Sequence, residues 1–551
     1  MNSEFTPKLF SLVREGISPD RLKKDIIAGI IVGIVALPLS IAFAIASGIS
    51  PDKGILTAII GGFIISLLGG SRVQIGGPTG AFVVIIAGII ATHGYDGLLI
   101  ATLMAGILMV IMGAFSLGSL LKYIPHTLIT GFTTAIAVII FSTQIKDFTG
   151  MATGAVPGDF IGKWAVYVEN AGSIRFWPIF LGVLAICIIV FLPRISRRIP
   201  PAFAAIVITT LIAWIGKLPV ETIASRYGSL HFSIPSPGIS IPRLSEITQL
   251  IVPAISIAIL GSLESLLSAV VADSMIGGKH RSNMELIAQG TANILLPLLG
   301  GFPATGAIAR TATNIKNGGR TPIAGIVHSV TLFFIYLAAM PIVSRIPMAT
   351  LAGILIITAW NMAEVKTFVN SCKINVHETL ILLVTFFLTL FTDLTIAIPT
   401  GFLLATVLFM KRMSDSIEIT PLAATKTKDG SIFREELGDY SPQIIIFEIY
   451  GPMFFGSVHH LLNLDKEITQ KHKAVILRFR FVPIVDTAGL ARLKTFVGET
   501  RNKDICVYLS GVNEKVRQKL VKTGIMKNEA MFDDIKDAIA AAEECTARKT
   551  K

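Results

Sequence analysis

Apolar runs close to the 20 residues that span a bilayer recur from Asp25 to about Lys411, separated by short polar or basic stretches. The pattern predicts about fourteen membrane segments. In the first half they lie near 25–48, 54–70, 78–91, 95–118, 127–145, 174–193 and 202–217. In the second half they lie near 248–272, 285–300, 305–315, 321–341, 346–361, 376–392 and 394–411. Two of them, 78–91 and 305–315, are too short to cross alone. Each follows a proline and a Thr-Gly-Ala triplet, in Gly77-Pro78-Thr79-Gly80-Ala81 and in Pro303-Ala304-Thr305-Gly306-Ala307. Interrupted apolar segments at matching places in two halves of a membrane chain point to paired half-helices that start near the bilayer midplane. Their first N–H groups lack partners and carry the positive end of the helix dipole. Two such ends facing each other make an anion pocket.

After Lys411 the pattern changes. Residues 413–440 form a polar connector, and short apolar runs then alternate with helical periodicity. Strands are predicted at Gln443–Ile449, Ala474–Phe479 and Asp504–Leu509, with helices near 456–470, 487–500, 512–522 and 533–544. This βα alternation predicts a small α/β domain over 441–545, followed by a tail at 546–551. The remaining divisions are an N-terminal segment 1–24, a first half 25–217, an outer loop 218–247 and a second half 248–412.

Composition supports the membrane reading. Of the 551 residues 52% are hydrophobic and 15% charged, and the mean hydropathy is strongly positive. The net charge of +12 does not point to nucleic acid, because the basic residues cluster in short loops between apolar runs. Residues 1–24 carry Lys8, Arg14, Arg21, Lys23 and Lys24 among Phe5, Leu9, Phe10 and Leu12, which reads as a cytoplasmic membrane-surface segment without a cleavable signal. With that end inside, Arg72, Lys122, Arg194-Ile195-Ser196-Arg197-Arg198, Lys279-His280-Arg281, Lys316 with Arg320, Lys366 with Lys373, and Lys411-Arg412 all fall on the cytoplasmic side. Seven segments per half is an odd number, so the halves run in opposite senses as an inverted repeat. Cys187, Cys372, Cys506 and Cys545 show no spacing that suggests a disulfide framework or a zinc site. The outer segments 146–173 and 218–247 are mixed in charge and suggest no chemistry.

Two charges inside apolar segments stand out. Arg310 lies about a turn into the second short segment, where a buried cation costs several kcal/mol unless compensated. It calls for an anion there, or else for a carboxylate partner or a route to the interface. Glu264 is a mid-helix charge in the segment that opens the second half, and Ser268 shares its face four residues on. Together they suit Na⁺ or a proton; the alternative is a plain Glu264–Arg310 ion pair. Phe43, beyond Pro38 and Ser40, either walls the pocket or packs. Thr79 and Thr305 begin the half-helices, Thr79 placed to face a ligand and Thr305 to cap the backbone. His328 reads as a packed, hydrogen-bonded histidine. In the tail, Asp486 either caps the helix that follows or belongs to a phosphorylation switch at Thr487. No nucleotide loop or catalytic triad pattern is present.

As a set, these residues resemble the SulP family of sulfate-permease-type anion transporters over nearly the whole chain. The resemblance rests on Leu37-Pro38 with Phe43, Gly77-Pro78-Thr79-Gly80, Glu264, and Ala309-Arg310-Thr311 through Asn317-Gly318-Gly319-Arg320-Thr321-Pro322. Asp486-Thr487-Ala488-Gly489 is similar to the strand-to-helix signature of that family's STAS domain. It implies an α-helical polytopic membrane protein with fourteen segments in a 7+7 inverted repeat, divided into core and gate domains like uracil permeases and usually dimeric. It also implies an anion bounded by Phe43, Thr79, Ala309 and Arg310, with a coupling cation at Glu264 and Ser268.

The expected function is secondary active uptake of sulfate or a related small anion, coupled to H⁺ or Na⁺, with no other cofactor and no enzymatic activity. The expected location is a bacterial-type inner membrane, both termini cytoplasmic, with a homodimer and a cytoplasmic protein partner of the STAS domain as partners. Bicarbonate and C4-dicarboxylates suit the same pocket. An uncoupled exchanger or channel, a nucleobase carrier of the same fold and a STAS-linked sensor are the other classes, and Arg310 argues against a neutral nucleobase.

Overall fold

The computed structural model describes residues 3–119, 125–154, 156–196, 199–228, 244–392, 394–422, 440–456 and 464–550. Lys122, Arg197 and Arg198 of the predicted cytoplasmic connections lie outside the described residues, as do 229–243 of the outer loop, 423–439 of the connector and 457–463 of the helix expected near 456–470. The chain forms two compact units, Met1–Ala405 and Thr406–Lys551.

The first unit is helical. It runs through α1 (Lys8–Glu15), α2 (Pro19–Ala46), α3 (Pro51–Leu68), a two-residue strand β1 (Gly76–Gly77), α4 (Gly80–Ala114), α5 (His126–Thr149), α6 (Phe160–Glu169), α7 (Phe176–Ile195), α8 (Pro201–Ile215) and α9 (Ile223–Tyr227). It continues with α10 (Leu244–Ile276), α11 (Ser282–Leu298), the strand β2 (Thr305–Gly306), α12 (Ile308–Lys316), α13 (Ile323–Ala338), α14 (Met340–Val343), α15 (Met348–Met362), α16 (Val365–Ile374), α17 (Val376–Phe391) and α18 (Leu394–Asp415). Among the described residues seven stretches are long and apolar enough to cross a membrane: α2, α3, α4, α5, α7, Ile247–Ile276 and Met348–Lys373. Shorter apolar helices are α8, α13 and α17. The stretches expected at 78–91 and 95–118 are two helices within the α4 range, separated as expected by a break at Gly94, whose φ of 68° and ψ of −175° are not helical.

Local signals explain the ends. Ser18 caps α2 by accepting from the Arg21 amide at 3.4 Å, and Pro19 takes the first helical position, where its missing N–H costs nothing. Pro38 does not interrupt α2. The Ser40 hydroxyl donates to the Ala36 carbonyl at 2.8 Å.

The helices sort into two packing groups. In one, α4 packs on α10 and α11, α2 on α3 and α13, and α3 on α11 and α13. In the other, α5 packs on α15 and α17, and α7 on α8 and α15. Within a membrane, helix contact relies on close approach of small residues more than on hydrophobic exclusion. At the α4–α11 crossing a Cβ on Gly106 would lie 2.7 Å from the Gly290 carbonyl, and one on Gly290 would lie 2.6 Å from the Gly106 carbonyl. Neither position has room for a side chain.

The described parts of the outer segments, from which no chemistry was expected, carry a charge cluster. Arg226 donates to both carboxylate oxygens of Asp147, at 3.1 and 2.6 Å, and to Glu221 at 2.9 and 2.5 Å. Its hydrogen bond holds the Glu221 carboxyl below the usual carboxylate range. These residues, with Lys146, Thr153 and Arg175, line a cleft of about 540 Å³ that also takes in the first residues of α15.

The second unit is a five-stranded sheet in the order β3 (Glu418–Pro421), β4 (Ile444–Tyr450), β5 (Ala474–Phe481), β6 (Cys506–Ser510), β7 (Met531–Phe532). β3 is antiparallel to β4, and the other pairings are parallel. Its helices are α19 (Leu464–Glu467), α20 (Thr487–Asn502), α21 (Glu514–Lys522) and α22 (Ile535–Thr550). Strands buried on both faces explain the continuous apolar runs of the sequence. Phe447, Val475, Leu477 and Leu509 pack against α20 and α21, while Ile444, Ile446 and Ile476 pack against Ile535, Ala538, Ile539 and Ala542 of α22. Cys506 and Cys545 form a disulfide, which the spacing did not suggest. Tertiary packing of α22 beside the start of β6 brings them together across 39 residues, so no local motif marks them.

Substituting Gly290→Leu inserts a side chain against the Gly106 carbonyl, and overpacking of this kind costs about 1–3 kcal/mol. Thermal unfolding of the purified protein should shift to a lower temperature. Gly88→Leu, at a position with nothing within 4 Å of the added Cβ, should leave it in place.

Candidate anion site at the paired backbone breaks

The two Thr-Gly-Ala breaks meet. β1 and β2 pair antiparallel, Gly76 opposite Gly306 and Gly77 opposite Thr305, and the Ala307 amide extends the ladder to the Ile75 carbonyl at 2.9 Å. α4 starts after Thr79 and α12 after Ala307, and neither residue's side chain caps its helix. The first-turn amides of both helices are thus left for other partners, and each helix end carries partial positive charge. Asn293 acts as a third strand, donating to the Ala304 carbonyl at 2.8 Å and accepting from the Ala304 amide at 2.9 Å.

Arg310 is the third residue of α12 and is only 2% exposed. Its guanidinium donates to the Pro78 carbonyl and, at 3.5 Å, to the Gly76 carbonyl. A Cβ on Gly77, which has φ 142°, would lie 2.5 Å from Nη1, so glycine is required there on two counts. The two carbonyls accept from two of the five guanidinium N–H groups and carry no charge to balance the cation. Among the described residues Arg310 makes no salt bridge, so the expected alternative of a direct Glu264–Arg310 pair is not what the geometry gives.

Glu264, half-buried on α10, instead accepts from the Thr79 hydroxyl at 2.7 Å. This hydrogen bond ties a carboxylate to the residue at the start of α4. Thr305 does not cap α12: it precedes the helix by three residues and sits in the strand pairing, too far back for the first-turn amides. Its hydroxyl donates to the Gly261 carbonyl at 2.7 Å and fastens β2 to α10. Ser268 is buried and donates to the Thr311 hydroxyl at 3.3 Å, and that oxygen also accepts from the Ile75 amide at 3.0 Å. Glu264 and Ser268 share a helix face, but the serine hydroxyl is engaged with α12.

Phe43 is buried beside the first residue of α4, since a Cβ on Gly80 would lie 3.3 Å from its ring and 2.8 Å from the Met362 sulfur. Ala309 is exposed. His328 is fully buried on α13 against Gly62 and takes no part in the breaks. Asp486 caps α20, accepting from the Gly489 amide at 2.8 Å and the Phe455 amide at 3.1 Å, and Thr487 is exposed at the first helical position.

Sequence reasoning missed a second acid. Glu285 on α11 is fully buried and accepts from the Gly70 and Ser71 amides at 2.9 and 3.0 Å, from Ser265 at 3.2 Å and from Gln289 at 2.9 Å. Gln74 joins this network through Ser265 at 2.8 Å. Four donors make Glu285 a fixed anchor for the loop that leads into β1. Gln289 four residues further along the helix was the available signal. Met362 was also missed, because it comes from the other packing group. The cleft around Arg226 contains no residue of β1, β2, α4 or α12.

Residues 22–385 match the Sulfate permease family, and residues 439–538 match the STAS domain. The chain is 40% identical to YvdB of Bacillus subtilis over 93% of its length and 95% of that protein, which is named provisionally as a sulfate transporter. It is 29% identical to the bicarbonate transporter BicA of Picosynechococcus over 92% of this chain and 91% of that one. The structure of the murine Solute Carrier 26 family member A9 anion transporter superposes with a TM-score of 0.85 at 15% identity, covering 98% of this chain and 94% of that one, which establishes likeness of fold. The chain therefore belongs to the sulfate permease family of multi-pass membrane transporters and carries a C-terminal STAS domain.

Proposed function

We propose that the chain is a secondary active transporter that takes up sulfate or a related small anion together with H⁺ or Na⁺. The observation that carries this reading is the pairing of two helix starts across β1 and β2, with Arg310 buried between them. Each helix end contributes roughly half an elementary positive charge. Arg310 adds a full charge whose partners are carbonyls. An anion placed before Gly80 and Ile308 meets all three, with Phe43, Thr79 and Ala309 at its edge.

Coupling follows from the Thr79–Glu264 hydrogen bond. An ionised Glu264 places negative charge beside the start of α4 and repels the anion; H⁺ or Na⁺ at Glu264 and Ser268 removes that repulsion. Cation and anion then stabilise each other in the site. The coupling has a purpose, since importing a dianion against 100 mV, inside negative, costs about 4.6 kcal/mol. The two helix groups supply moving parts: the group of α2, α3, α4, α10, α11 and α13 carries the site past the group of α5, α7, α8, α15 and α17 in an elevator-like step. In this reading fourteen segments form a 7+7 inverted repeat in a bacterial-type inner membrane with both termini cytoplasmic, the unit is a homodimer, and the STAS domain meets a cytoplasmic protein.

Sulfate is favoured by the name of the 40% identical relative, and bicarbonate by that of the 29% identical one. Uptake of labelled sulfate, bicarbonate and succinate into proteoliposomes, with pH and sodium gradients imposed separately, decides among them. Flux indifferent to both gradients would favour an uncoupled exchanger.

Glu264→Gln should abolish gradient-driven uptake while anion binding persists; full driven uptake in that variant removes Glu264 from coupling. Arg310→Ala should weaken anion binding at least tenfold, about 1.4 kcal/mol, and an unchanged Kd excludes Arg310 from the site.

A further inference from the structure

The Cys506–Cys545 pair lies in the unit that the proposed topology places in the cytoplasm, where glutathione and thioredoxin keep most thiols reduced and disulfides are usually transient or redox-sensing. The two Cα atoms are 6.8 Å apart, within disulfide reach without backbone movement. Cys506 is the first residue of β6, held in the sheet by its amide's bond to the Lys473 carbonyl at 2.9 Å. Cys545 is in the last third of α22. Both are half-buried, so a small thiol reagent can reach them.

The position determines what the bond does. α22 lies on the sheet through Ile535, Ala538, Ile539 and Ala542, and this apolar stripe ends at Ala542. Beyond it the helix is fastened at the start of β6 by the disulfide and by Lys549, which donates to the Asp504 carboxylate at 2.8 Å and to the Asp504 carbonyl. The ion pair is exposed on the acid side and contributes little by itself. The disulfide is the covalent tie at this end of α22, beside the non-covalent Lys549 contacts to Asp504 and the buried Thr546.

We propose that Cys506 and Cys545 form a reversible thiol–disulfide clip that docks the end of α22 on the sheet edge, set by low-molecular-weight disulfides such as oxidised glutathione. One cysteine thiolate attacks a sulfur of the oxidised tripeptide, releasing one reduced glutathione and leaving a mixed disulfide. The second cysteine thiolate attacks the protein-side sulfur of that mixed disulfide and releases the other. Two protein thiols are oxidised, two electrons reduce one glutathione disulfide to two thiols, and the two thiol protons pass to the released glutathione.

The clip rests on the cytoplasmic placement of the tail, which is tested separately by labelling intact cells carrying Lys536→Cys, an exposed tail position, with a membrane-impermeant maleimide. The clip itself is tested on the full-length purified protein equilibrated across a series of reduced-to-oxidised glutathione ratios. Differential alkylation with peptide mass spectrometry should show Cys506 and Cys545 converting together, while Cys187 and Cys372 stay alkylatable as internal controls. Hydrogen–deuterium exchange over 543–550 should slow at least tenfold on oxidation, and C506S or C545S should keep it fast at every ratio. A bond that never forms at the most oxidising ratio overturns the proposal. So does one that survives excess dithiothreitol in the folded protein, or exchange rates that ignore the redox state.

Discussion

The structure depends on two interrupted backbones pairing with each other. Backbone without helical hydrogen bonds is tolerated at membrane depth only where protein covers it or it lines a cavity. The Gly76–Gly77 and Thr305–Gly306 segments meet this requirement by bonding to each other, and Asn293, Thr311 and Asn314 complete the satisfaction from the side. The carbonyls left over turn toward Arg310, and the amides left over begin α4 and α12. One constraint thus produces both the small-residue composition of the breaks and a local excess of positive charge.

This explains which parts were legible in the sequence. Gly, Pro and Thr at matching places identified the breaks; in the structure the glycines leave no room for a Cβ, Gly76 lying against Ile65, Gly77 against Arg310 and Gly306 against Gln74. Arg310 and Glu264 stood out because a charge inside an apolar run has few bland explanations. Partner identity was less legible. Thr305 looked like a cap until the strand pairing placed it ahead of the helix, and the partners that Arg310 and Glu264 take, the Pro78 carbonyl and the Thr79 hydroxyl, could not be read from the sequence. Glu285 was harder to see because three of its four partners, Gly70, Ser71 and Ser265, are remote in the chain, and only Gln289 lies a turn away on the same helix. Helix grouping was likewise invisible, since it depends on glycines such as Gly106 and Gly290 facing each other across 184 positions.

The tail shows the same contrast. Alternating apolar strands and helices gave its class directly, and Asp486 was recognisable as a helix cap. The edge strand β3, with polar and half-buried positions, carried no such signal, and the meeting of Cys506 with Cys545 follows from how α22 lies on the sheet.

Arg310 and the two helix starts lie beside the Glu264 carboxylate, which Thr79 ties to the start of α4, all within one packing group. The central claim is that the anion sits where the two helix starts converge. A crystal structure of the full chain with selenate bound, read by selenium anomalous scattering, tests that claim most directly. The account predicts one strong peak between the amides before Gly80 and Ile308, close to the Arg310 guanidinium. Occupied selenate elsewhere, with this position empty under conditions that support transport, would contradict it.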